Sequence, residues 1–201
     1  MTNDIRTIDR FDGTMAEIYG QFAENEQTGL KKGVYWSVLI RCNPIQYMDC
    51  KWSPMILIDW MPVDTLANTP AKVVAADCPG AEASFFIASH DAAPSWSIEI
   101  NQTTGAPARV DYALAVDFEG LENENIKALP VIGSAPLARL EFVVPRDSIF
   151  PKPNSHEDAR NVVAPFFAGI ANWVDLPEED ADGWPVKNPQ HYRFTPPPPT
   201  D

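Results

Sequence analysis

The stretch WSIEINQTTGAPARVDYALAVDF, residues 96–118, decides the fold class. Apolar side chains alternate with polar ones from Trp96 to Ile100 and again from Val110 to Phe118. Successive side chains on a β-strand point to opposite faces, so this spacing predicts two strands that each bury one face. A glycine and a proline lie in the polar segment between them. We therefore expect an antiparallel hairpin here.

Three further stretches have the composition of strands. VYWSVLIRC (34–42) and MILIDWM (55–61) are nearly continuous in β-branched, aromatic and aliphatic residues, which is typical of strands covered on both faces. LARLEFVV (137–144) alternates apolar and charged residues and ends before Pro145. Proline is present 20 times, about twice its usual share, so we expect short strands with long connections.

Two segments predict helices. In residues 14–27, Thr14 and Glu17 have the spacing of a capping box before an apolar face. In the second, Ser155 is a candidate N-cap, followed by apolar residues at helical spacing. The predicted fold class is α+β: an antiparallel sheet of about five to seven short strands, with one or two helices packed on one face and an extended proline-rich C-terminal arm.

The charge balance restricts the partners. Fifteen Lys and Arg stand against 28 Asp and Glu, a net charge of −13. A negative field repels phosphate backbones and anionic headgroups, so we expect neither a nucleic acid nor a membrane partner. The N-terminus has no apolar signal-peptide core, which favours a protein that is cytoplasmic at synthesis. Cys42, Cys50 and Cys78 form no CxxC pair, and we expect no disulfide, metal or cofactor.

The C-terminal segment has an unusual composition. We divide the chain into one domain, 1–176, whose residues 1–13 form an N-terminal arm, and an acidic loop with a proline-rich arm, 177–201. The arm ends in four consecutive prolines, which favour an extended conformation. It also carries three aromatic residues, which we predict to be interface anchors because large aromatic side chains need a surface to cover them: Trp184, Tyr192 and Phe194.

The triplet Ser89, His90 and Asp91 contains the residue types of a catalytic triad. Neighbouring residues on an extended chain face opposite ways, so the three cannot align with one another as nucleophile, base and orienting acid. The same stretch is also typical of a strand end followed by a turn. One of the three could still act with partners from elsewhere in the chain. His90 and Asp59 are the weak catalytic candidates, and no histidine spacing matches a zinc site.

Three functions are compatible with these features. The first is a non-enzymatic assembly protein, a subunit of a multi-copy complex held by extended arms, with copies of itself or neighbouring subunits as partners. The predicted order of helix, sheet, helix and arm resembles the connector and tail-terminator proteins of phage virions, and it implies incorporation in a virion or other large assembly. The second is a small enzyme with a Trp-lined apolar pocket that uses His90 or Asp59 as general acid or base. The third is an acidic, immunity-type inhibitor of a basic partner.

Overall fold

The structure is a computed structural model, and it describes residues 5, 8–25, 30–47, 49–62, 71–101, 107–117, 128–147, 149, 151–179, 186 and 190–197. Of the described residues, 60% lie in strands and 11% in helices, and 11 of the strands form one mixed sheet. The prediction of an α+β fold with five to seven strands was therefore wrong. No helix in the described part of the chain is long and apolar enough to cross a membrane.

The described residues form 13 strands and one α-helix. The strands are β1 (Gly13–Asn25), β2 (Leu30–Cys42), β3 (Ile45–Tyr47), β4 (Cys50–Trp52), β5 (Met55–Met61), β6 (Ala71–Val74), β7 (Glu82–Phe86), β8 (His90–Ala92), β9 (Ser95–Asn101), β10 (Arg109–Val116), β11 (Leu129–Pro145), β12 (Val174–Leu176) and β13 (His191–Thr195). The helix α1 spans His156–Val163, and short 3-10 helices occupy Ala75–Asp77 and Ala168–Asn172. The predicted hairpin at 96–118 is confirmed, because β9 and β10 pair antiparallel.

The main sheet has the strand order β6-β9-β10-β11-β1-β2-β5-β7-β8, and β11 connects its two parts. The first half of this 17-residue strand pairs antiparallel with β10, from Leu129 to Pro136. Its second half pairs in parallel with β1 and antiparallel with β13. A single long strand thus joins two sets of neighbours, and it places the C-terminal strand inside the sheet.

The first predicted helix is a β-strand in the structure, β1. Ala16, Ile18 and Phe22 are buried, and they alternate with more exposed residues along the strand. Gly20 explains why this segment is a strand and not a helix. A Cβ at this position would lie within 2.7 Å of the Trp36 ring and would also contact Phe142. Two large aromatic side chains occupy the space above Gly20, and a strand backbone lets them approach. Tertiary packing therefore overrides the capping-box signal.

The sheet bends strongly around its core. The Tyr112 hydroxyl on β10 lies 3.7 Å from Cys42 Sγ on β2, although two strands separate β10 from β2 in the sheet order. Three strand spacings of about 4.8 Å would hold these groups well apart in a flat sheet. The Tyr112 hydroxyl also donates to the backbone carbonyl of Phe11, which ties the N-terminal residues to the same core. The enclosed core is one continuous cluster of buried side chains.

The predicted second helix is confirmed, although it is short. Ser155 is its N-cap, and its hydroxyl accepts a hydrogen bond from the Asp158 N–H at 3.0 Å. The chain leaves the α-helix before Pro165, as expected for a residue without an N–H donor. The segment that follows delivers Phe167 and Trp173 into an aromatic cluster around Trp36.

Candidate functional site

The hairpin formed by β7 and β8 presents a serine, a phenylalanine and a histidine on one face. Phe86 lies opposite His90 in the register, and Ser84 lies opposite Ala92, so Ser84 and His90 are diagonal neighbours. Residues two apart on a strand share a face, which places Ser84 beside Phe86 and His90 on the side away from the buried Phe85. The turn between the strands covers residues 87–89.

Ser84 and His90 form a close pair. The distance from His90 Nε2 to Ser84 Oγ is 2.7 Å, the length of a strong hydrogen bond. The His90 ring stacks on Phe86, with ring centroids 4.6 Å apart and planes inclined by 2°. Phe86 therefore fixes the plane of the imidazole, and that plane directs Nε2 at the serine. With Nε2 unprotonated, the Ser84 hydroxyl donates to it, as a serine nucleophile donates to its general base.

Ser84 and His90 lie at a cleft of about 570 Å³, a size typical of small-molecule sites. Most of the other residues around the cleft are small, apolar or acidic. The described residues that line it are Ala75, Cys78, Pro79, Gly80, Ala81, Glu82, Ala83, Ser84, His90, Asp91, Ala92, Ala93, Pro94, Trp96 and Asp117. The cleft thus combines an apolar wall, which includes a tryptophan, with one hydroxyl–imidazole pair.

The triplet Ser89, His90 and Asp91 does not form a catalytic triad. Asp91 lies opposite Phe85 in the register and is only 2% exposed, whereas His90 is exposed. The Ser89 hydroxyl donates to Asp91 Oδ2 at 2.7 Å. The serine that meets His90 is Ser84, six residues earlier in the chain. His90 and Asp91 therefore point to opposite faces of β8, and the hydrogen-bond partner of His90 comes from the neighbouring strand β7.

Asp59, the second catalytic candidate, is not among the described residues that line the cleft. It lies on β5 opposite Glu82 of β7, at a β-bulge where the register with β2 shifts. The next residue, Trp60, has φ of 61°, a left-handed conformation that is unusual for a bulky side chain. Its ring packs edge-on against Tyr35 at 6.1 Å. The structure separates Asp59 from His90.

Two of the predicted interface anchors are buried within the same chain. Tyr192 and Phe194 lie on β13 and are 4% and 0% exposed. The guanidinium carbon of Arg160 lies 4.9 Å from the centroid of the Phe194 ring, and the His156 ring contacts both aromatic side chains edge-on. Trp184, the third predicted anchor, lies outside the described residues.

The other predicted chemistry has a simple structural account. Cys42, Cys50 and Cys78 are free thiols. Burial raises the pKa of both Cys42 and Cys78 to about 11, so these two thiols are protonated at neutral pH. Among the described residues, no group of three or more His, Cys, Asp or Glu side chains is placed to hold a metal ion.

Ser84 is the residue that the sequence interpretation missed. Its signal was the alternation in EASFF followed by HDA, which pairs Phe86 with His90 across a three-residue turn. The prediction of a strand end followed by a turn misses this register, because His90–Ala92 form the strand β8 that pairs with β7. No known protein family, curated protein or solved structure matches the chain.

Proposed function

We propose that the chain is a small acyl-transfer enzyme, a hydrolase of esters or related acyl compounds. The observation that carries this proposal is the 2.7 Å contact between His90 Nε2 and Ser84 Oγ at the edge of a cleft of about 570 Å³. A serine hydroxyl that donates to an imidazole is the minimal arrangement for nucleophilic acyl transfer.

The chemistry follows from the pair. Ser84 Oγ attacks the acyl carbon while His90 Nε2 takes the hydroxyl proton, and a C–O bond forms to give a tetrahedral intermediate. The imidazolium returns this proton to the leaving oxygen as the bond to the leaving group breaks. Water then attacks the acyl-serine with the same proton transfers, which releases the acid and restores Ser84. Phe86 is a positioning residue, because its stacked ring holds the imidazole in line with the serine.

The test uses a fluorophosphonate probe, which labels activated serines, together with hydrolysis of a nitrophenyl acetate. We expect labelling on Ser84, with a loss of at least ~10²-fold in rate on Ser84→Ala or His90→Gln. The matched control is Ser89→Ala, because Ser89 lies in the same hairpin but bonds to Asp91 instead of a histidine. Far-UV circular dichroism of each variant verifies that the fold is intact. Labelling that survives Ser84→Ala, or a folded wild type that is never labelled, would contradict the proposal.

A second candidate function has its own supporting observation. β13 pairs with β11 at four positions and with β12 at three. A strand of a second copy can make the same contacts, which is the geometry of strand exchange between subunits. This retains the interpretation of an assembly subunit held by its C-terminal arm. The helix predicted at residues 14–27, on which the resemblance to phage connectors depends, is by contrast the strand β1 in the described part of the chain.

Strand exchange is tested by a cross-link between two paired positions. Pro145 and His191 are partners in the β11–β13 register, so Pro145→Cys with His191→Cys places two thiols at disulfide distance. The exposed Cys50 is replaced by serine to remove a competing thiol. Covalent dimers that increase with protein concentration support exchange. Covalent monomers alone at every concentration would exclude it, and the single-cysteine variants report the background.

A further inference from the structure

The cleft has an unbalanced charge. Glu82 and Asp117 are both exposed and line the cleft, and neither forms an ion pair or side-chain hydrogen bond with a described residue. The described residues that line the cleft include no lysine or arginine. Asp59 lies opposite Glu82 across β5 and β7, which extends the negative charge beyond the cleft. A substrate that approaches Ser84 therefore meets carboxylates without compensating cations.

The rest of the molecule reinforces this field. The net charge of the chain is −13, so the long-range potential has the same sign as that of the cleft. Some other acidic side chains on the surface do have a basic partner, as in the ion pairs of Glu99 with Lys72 and of Asp175 with Arg160. Clefts lined by one sign of charge concentrate ligands of the opposite sign and repel those of the same sign.

From this arrangement, and on the basis of the acyl-transfer function proposed above, we infer that the enzyme selects cationic or neutral acyl compounds and rejects anionic ones. Glu82 and Asp117 are the specificity-determining residues. They do not contact the reacting atoms. Their charges act on the approach and binding of the substrate, so the preference is expected in KM, with kcat changing little.

The experiment compares three esters with the same acyl group and a quaternary-ammonium, a neutral or a carboxylate-bearing alcohol. At low ionic strength we expect kcat/KM for the cationic ester to exceed that for the anionic ester by about tenfold or more. At about 0.5 M salt the ratio should approach that of the uncatalysed reactions, because the Debye length shortens to a few ångströms.

The variants Glu82→Gln and Asp117→Asn should each reduce the cationic preference by about threefold, because each removes one carboxylate charge from the cleft. Glu157→Gln is the matched control, since this exposed carboxylate lies in the first turn of α1 and does not line the cleft. Equal turnover of the three esters would overturn the charge inference alone. Failure of all three esters and of the serine probe would instead overturn the acyl-transfer function.

Discussion

Phe194→Ala is the substitution that tests most directly how the C-terminal segment is held. The side chain is fully buried on β13, opposite Phe142 of β11. Truncation of a buried phenylalanine to alanine costs about 3–5 kcal/mol, because it removes apolar contacts and leaves a cavity. The substitution also removes the ring beneath Arg160, a cation–π contact at 4.9 Å that contributes roughly 0.5–1 kcal/mol. We expect a total loss of about 4 kcal/mol.

The assay is equilibrium unfolding in urea, supported by thermal melting. A loss of about 4 kcal/mol corresponds to a fall in Tm of roughly 8–16 °C for a chain of this size. Phe166→Ala is the matched control, because this phenylalanine is 38% exposed and its ring contacts that of Phe22. It should cost only about 1 kcal/mol.

The result also bears on strand exchange. If β13 docks in its own chain, the loss for Phe194→Ala is independent of protein concentration. If β13 is exchanged between copies, the midpoint of unfolding of the wild type rises with protein concentration. The Phe194→Ala oligomer should then dissociate into monomers at a higher protein concentration than the wild type does. A loss below about 1 kcal/mol, equal to that of the Phe166→Ala control, would refute the packing argument for β13.

Three further predictions concern other parts of the fold. Gly20→Ala forces a Cβ into the Trp36 ring and should cost about 1–3 kcal/mol in urea unfolding, while Gly33→Ala, where the nearest atom would be 3.7 Å away, should be nearly neutral. Burial raises the pKa of Glu178, but hydrogen bonds from His191 and the backbone outweigh it and lower the pKa. The contribution of ionised Glu178 to stability is thus complete above about pH 4.3 and is lost as the pH falls through the pKa of Glu178 in the folded state. Glu178→Gln should reduce this acid-induced loss of stability, measured by unfolding at acid pH. A thiol reagent should modify Cys50 rapidly and the two buried cysteines only after denaturation.

The parts of the fold that the sequence predicted are those in which local pattern and packing agree. The strands at 96–118 alternate with a period of two, and the structure buries the described apolar members of that set, Trp96, Ile98 and Ile100 among them, while Phe118 lies outside the described residues. The cap at Ser155 is likewise a local interaction between near neighbours. Such signals need no knowledge of distant residues, so they could be identified from the sequence alone.

The first strand could not be predicted in this way, because its conformation depends on residues far away in the chain. The apolar residues Ile18 and Phe22 are four apart, a spacing that suits one helix face and also one strand face. What decides between them is the contact of Gly20 with Trp36 and Phe142. The partner strand of β1 on that side begins more than a hundred residues later, and its register has no local signature.

The candidate site also has one part that the sequence predicted and one part that only the structure shows. His90 was identified by residue type, but its partner follows from the register of the β7–β8 hairpin and not from adjacency in sequence. Tyr192 and Phe194, which we predicted to be interface anchors, are both buried in the structure. The structure provides that cover from the same chain, through β11 and α1. This cover accounts for Tyr192 and Phe194 alone, because Trp184 lies outside the described residues.

The two proposed functions can be separated because they depend on different strands. β8, which carries His90, ends the main sheet order, whereas β13 joins the sheet at β11. In the sheet order β1, β2, β5 and β7 lie between β11 and β8, so loss of β13 contacts leaves the pairing of Ser84 with His90 intact while the sheet is folded. Phe194→Ala should consequently lower stability without reducing probe labelling of the folded protein at Ser84. Labelling that is lost in step with assembly would mean instead that the cleft is completed by a second copy.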